Sequence, residues 1–297
     1  EPPADPADIF SAHSTLLNIA ILERPLAEAL TLLAQGRALL ERYPQLHSGH
    51  MLDLSEGDLA ARRGDWTTAQ AHYLDAHRHQ GRDDSSPSFT LASYLIKLAT
   101  ASFRLGDSAA LSRWCGEIDA APKSVEGDRL RAEQARLLGY RAGIAEPPGA
   151  RGGPAATARR VLCWLEEIEG HQTELARDAM LTLLQEGDWL SVETWLEYPG
   201  IGDDPFMRGD LHLARARAAL GHPPRDPDWP DPAASRARPN PRQCRSKVTD
   251  DLQAARAHYQ AQRDWAERED QRLETQHHRQ LLDARQQQVA ALAAEAP

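Results

Sequence analysis

Residues 51–80 read M-L-D-L-S-E-G-D-L-A-A-R-R-G-D-W-T-T-A-Q-A-H-Y-L-D-A-H-R-H-Q, and their spacing predicts two short helices joined by a tight turn at Gly64-Asp65. Gly57 stands seven residues before that turn, and Trp66, Ala69, Tyr73 and Ala76 follow it at helical intervals. Small residues at Gly57 and Ala69 allow two helix backbones to approach closely. The aromatic rings of Trp66 and Tyr73 are placed to fill the space beside them.

Outward from this hairpin, apolar residues recur at i, i+3, i+4 and i+7 through almost the whole chain of 297 residues, and no β-branched alternating run interrupts them. Ala, Leu, Arg, Gln and Glu dominate, all strong helix formers. Before the hairpin, helices are predicted over 7–22 and 25–43; Pro25 sits at a helix start and Pro44 closes the second helix. After it comes a polar loop over 81–88, then a second hairpin over 88–120. That hairpin turns at Gly106-Asp107, with Ala99 seven residues before the turn. A looser pair follows, with helices over 125–142 and 155–169 around a Pro/Gly loop. Residues 173–186 lead into Gly187-Asp188-Trp189, repeating the G-D-W of Gly64 to Trp66, and a further helix covers 205–220.

The pattern breaks at 221–245, where proline density forbids helix and strand ladders and predicts an extended, polyproline-like strap. From 247 to 294 there is neither Gly nor Pro, which predicts one long helix of roughly 70 Å. Its first half carries a core-facing stripe, Val248, Leu252, Ala255 and Tyr259. Its second half, with Leu273, Leu281 and Val289 widely spaced, is expected to project into solvent or to meet a partner as a coiled coil. Three regions follow: a helical repeat domain over 1–220, the strap over 221–245 and the long helix over 246–297.

The 51–80 hairpin resembles a single tetratricopeptide repeat, the helix–turn–helix unit of roughly 34 residues. Three turns, at Gly64, Gly106 and Gly187, carry the G-D signature, and two of them continue to Trp. No repeat carries every consensus position, and the first two turns lie 42 residues apart, so the spacing is irregular. The resemblance implies an all-α, tetratricopeptide-like α-solenoid of about five helical hairpins with a long C-terminal helix. One hairpin cannot bury its own apolar face, so neighbours stack and build a concave wall from the first helix of each pair. Proteins similar to this one hold peptides or partner proteins on that wall. The positions so implied are Leu54, Asp58 and Arg62; Ile96, Thr100 and Arg104; and Arg177, Leu181 and Gln185. Chaperone-binding members of the family clamp a C-terminal carboxylate with Lys and Asn. Leu54 and Asp58 stand where that clamp would need them, so that partner is not expected. Arg62 and Arg104 share a repeat position and could form a short positive ladder suited to carboxylates. The competing expectation is a solvated face with an intrahelical Asp58–Arg62 ion pair.

A net charge of -10 with both signs interspersed argues against a nucleic-acid binder. No apolar run approaches the ~20 residues needed to cross a bilayer, so no membrane insertion is expected. The three cysteines, Cys115, Cys163 and Cys244, are far apart and form no C-x-x-C pair, which excludes the usual zinc and thioredoxin-like spacings. So sparse a count fits a reducing compartment, with one disulfide left open. A cytoplasmic location is therefore expected; the opening E-P-P-A-D-P-A-D suits a processed chain, which keeps the periplasm as the alternative.

Candidate chemistry is thin. His72, Asp75 and His79 share a helix face at i, i+3 and i+7, a spacing that can hold a metal, but no third strong ligand stands in register and a polar outer face is expected. Glu274, His277 and His278 lie in a Gln-rich stretch that reads as solvated, and Asp226, Asp228 and Asp231 lack the glycine and spaced Glu of a calcium loop. No phosphate-cradling loop, nucleophile elbow or H-E-x-x-H is present, and Gly200-Ile201-Gly202 follows a helix rather than a strand. Trp229, in D-P-D-W-P-D-P, is expected either to plug a groove between repeats or to anchor a partner. The other tryptophans sit at helical spacing and read as core. The function expected is a non-catalytic scaffold or adaptor without metal or cofactor, holding a peptide or protein in its groove. An Ala/Arg-rich composition is the only hint of a bacterial multiprotein assembly. The alternative is a sensory module closing on a small peptide or metabolite; an enzyme would need a metal at His72 and His79.

Overall fold

The computed structural model describes residues 5–46, 48–80, 91–122, 126–149, 152–167, 173–196, 205–222, 247–268 and 276–295. Trp229, Cys244, the Asp226, Asp228 and Asp231 cluster, Gly200 to Gly202, and all of the proline-dense strap beyond His222 lie outside them. So do Leu273, Glu274 and the side chains of Trp265, His277 and His278.

Thirteen helices make up the described residues, and no strand occurs among them. They are α1 (Pro6–Glu23), α2 (Leu26–Arg42), α3 (Gly49–Arg62), α4 (Trp66–Gln80), α5 (Leu91–Leu105), α6 (Ser108–Ala120), α7 (Glu126–Arg141), α8 (Gly153–Glu167), α9 (Thr173–Gln185), α10 (Trp189–Leu196), α11 (Pro205–Ala219), α12 (Val248–Arg268) and α13 (Gln276–Glu295).

The same turn ends α3, α5, α7, α9 and α11. In each, a glycine takes a left-handed φ, 75° at Gly64, 74° at Gly106, 78° at Gly143, 74° at Gly187 and 80° at Gly221. The residue after it donates its N–H back to the helix: Asp65 to Ala60, Asp107 to Ser102, Ile144 to Gly139, Asp188 to Leu183 and His222 to Arg217, all at 2.9–3.0 Å. This closes the carbonyls left open at a helix C-terminus, and only glycine takes that φ without strain. At the three G-D turns the aspartate also opens the next helix. Its Oδ1 accepts the N–H of Thr68 at 3.1 Å, of Ala110 at 2.9 Å and of Ser191 at 3.3 Å. A two-letter signature thus ends one helix and starts another.

The main helix contacts join elements one or two apart in chain order. Each even-numbered helix touches the odd helices on either side of it. Among the odd helices, α1 meets α3, and α5, α7, α9, α11 and α13 meet in succession. The apolar core accordingly forms four successive clusters. The first joins α1 to α3 around Leu17, Leu52 and Leu59, the second α3 to α7, the third α7 to α11 and the fourth α11 to α13. Leu17 and Leu52 are fully buried, which stabilises each by about 1.5–3 kcal/mol relative to exposure.

The C-terminal region departs from the expected single long helix. α12 pairs with α11, and α13 folds back onto both. Arg263 of α12 pairs with Asp283 of α13, and Gln286 Oε1 accepts from Arg263 at 3.0 Å. α13 buries Leu282, Val289 and Leu292 against Leu252, Ala255 and Tyr259, so its second half does not project. The stripe runs through Leu282 and Leu292 rather than Leu281, and that phase gives α13 a face that α11 and α12 can cover. Cys115 and Cys163 are free thiols; Cys115 donates to the Ala135 carbonyl at 3.2 Å, and burial pushes its pKa up to about 12. No described helix is long and apolar enough to cross a membrane.

Candidate partner-binding cleft

A cleft of about 710 Å³ opens along α1, α3, α5 and α7, the odd-numbered helices of the first half of the molecule. α1 contributes Ser14, Asn18, Ile21 and Leu22; α3 contributes Met51, Leu54, Asp58 and Arg62; α5 contributes Ile96, Lys97 and Thr100. Arg131 and Gln134 of α7 close one end, and Trp66 and Tyr73 of α4 form part of the floor.

Asp58 is the electrostatic centre. It accepts the Tyr73 hydroxyl at 2.8 Å and both oxygens take the Lys97 ammonium, at 2.6 and 2.8 Å. Tyr73 and Lys97 reach Asp58 from neighbouring helices and form this cross-helix set. Arg62 instead donates to the carbonyls of Ala20 and Ile21, at 3.3 and 3.1 Å. There its charge meets the negative end of the α1 dipole. Arg104 lies over the Trp66 ring, 5.5 Å from its centroid, and is not part of the cleft wall. Arg62 thus meets helix carbonyls and Arg104 an indole face.

The remaining implied positions divide. Leu54 and Ile96 are buried at the cleft base, and Thr100 lines it while bonding its own helix at the Ile96 carbonyl, 2.9 Å away. Arg177 lies 3.8 Å from Asp210, outside this cleft. Leu181 is buried in the third core cluster, and Gln185 is half-buried on α9 away from the cleft. Trp229 lies outside the described residues. Trp66 is only partly buried and lines the cleft, whereas Trp114 and Trp189 are core as expected.

Ser14, Asn18, Lys97, Arg131 and Gln134 were not legible as site residues. Ser14 is a buried residue, 7% exposed, whose hydroxyl has no hydrogen-bond partner among the described residues. A buried hydroxyl without a partner costs about 1–3 kcal/mol.

The histidines at the back of the same hairpin are engaged in structure. Arg37 of α2 bridges Asp53 and Glu56 of α3 at 2.8 Å each. His72 meets Glu56 and His79 meets Asp53, each at 3.2 Å, while Asp75 pairs with Arg78 at 3.1 Å. Among the described residues no group of three or more His, Cys, Asp or Glu side chains is arranged to hold a metal.

A second copy of the Asp58 arrangement sits in the other half. Tyr259 of α12 donates to Asp210 of α11 at 2.7 Å, and Arg285 of α13 approaches the same carboxylate at 3.1 Å. Gly209 precedes Asp210 as Gly57 precedes Asp58. A Cβ on either glycine would lie closer than 3.0 Å to the tyrosine ring. Arg285 therefore does for α11 what Lys97 does for α3, and α13 occupies the place of a next odd helix. The repeated G-D-L at 57–59 and 209–211 was the sequence signal.

Comparison with protein-family models, with curated proteins and with solved structures found nothing that matches this chain.

Proposed function

We infer that the chain is a non-catalytic, tetratricopeptide-like solenoid that holds a peptide or protein segment in the cleft of α1, α3, α5 and α7. The observation that carries this is the composition of that wall. Apolar side chains (Ile21, Leu22, Met51, Ile96) alternate with polar groups fixed by neighbours (Asp58, Arg62, Lys97, Gln134) along several stacked helices. A peptide needs that combination: pockets for its side chains and fixed partners for its polar groups. Helix-to-helix contacts limited to near neighbours in chain order support the repeat architecture. The role is that of a scaffold or adaptor, with protein partners rather than nucleic acid.

One observation favours a second reading, a sensory module for a small peptide or metabolite. The volume of about 710 Å³ falls within the range of small-molecule sites.

A displayed random-peptide library selected on the wild-type chain and on Thr100→Trp tests the main reading. Thr100 is half-buried in the wall, so the indole fills the cleft without emptying the core. The expected outcome is a sequence motif enriched by the wild type and lost with the variant. Equal enrichment on both, or none on either, sinks the peptide reading. A metabolite panel that raises the wild-type melting temperature while peptides do not selects the second one.

A further inference from the structure

We draw no further inference here: the strongest candidate, the cationic group of Arg62, Lys97 and Arg131 on the wall of the α1, α3, α5 and α7 cleft, belongs to the site already described, and its three side chains already meet the Ala20 and Ile21 carbonyls, Asp58 and Asp128.

Discussion

Gly57 and Gly209 are the residues on which two helix pairs depend most directly. Each lies mid-helix, where glycine costs about 1 kcal/mol relative to alanine. That cost is accepted because a tyrosine ring occupies the space a Cβ would need. The ring then carries its hydroxyl to the neighbouring aspartate, Asp58 or Asp210. Gly57→Ala and Gly209→Ala are expected to destabilise by about 1–3 kcal/mol despite alanine's higher helix propensity, because overpacking outweighs propensity here. Combining Gly57→Ala with Tyr73→Leu should recover part of the loss. Denaturant melts of the three variants check this, and a Gly57→Ala chain more stable than wild type would contradict the packing argument. Gly57 was legible in the sequence as a close-approach residue. Its target, the Tyr73 ring, was visible only as a nearby aromatic, because the angle between two helices is a tertiary quantity.

At the scale of elements, the pairing of α11 with α12 is the pH-sensitive one. His212 of α11 and His258 of α12 stack with ring centroids 5.7 Å apart. His212 also meets Asp251 at 2.7 Å, and Arg215 approaches that carboxylate at 3.5 Å. Burial pulls the pKa of His258 below its ordinary value of 6.5, and the charges of His212 and Arg208 push it the same way. Folded His258 therefore binds fewer protons than it does in the unfolded chain as pH falls past 6.5. Its contribution is present above that pH and shrinks below it. Hydrogen exchange in α12 is expected to be faster at pH 5.5 than at pH 7.5 in the wild type, and less so in His258→Gln. Identical ratios in the two proteins would remove His258 from the account. The helix turns behave in the opposite part of the pH range. Hydrogen bonds from Thr68 draw the pKa of Asp65 down. For Asp188, burial opposes the shift, but Ser191 and Arg159 outweigh it. Depressed carboxylates stabilise the fold above their unfolded pKa and lose that contribution as pH falls through the folded value.

Across the whole molecule, four core clusters follow one another along the chain, and the buried Arg285–Asp210 pair locks the last of them. Arg285 and Asp210 are 1% and 4% exposed, so removing Arg285 leaves the buried Asp210 charge with the Tyr259 hydroxyl and the more distant Arg177, at a cost below the about 3–5 kcal/mol of a fully stranded charge. Because the main contacts reach only near neighbours, that loss should stay local. Arg285→Met is expected to speed amide exchange in α11, α12 and α13 while leaving α1 to α6 at wild-type protection. A uniform rise across all helices would show instead that the molecule unfolds as one unit.

The amino-acid sequence by itself determined the all-helical class, the ends of most helices and the G-D turns, since periodicity, left-handed glycine and aspartate capping are local physics acting over a few residues. It also placed Leu54, Asp58, Arg62 and Thr100 on the helices that wall the cleft, because they sit at fixed distances from those turns. Only the tertiary structure decided what these residues do. Asp58 met Lys97 and Tyr73 from neighbouring helices, Arg104 lay over Trp66, Ser14 was buried with no hydrogen-bond partner among the described residues, and α13 turned back to deliver Arg285. Each of those outcomes depends on which side chains of distant segments arrive first at a charge or a cavity, and helix-to-helix distance and angle, not spacing along the chain, set that.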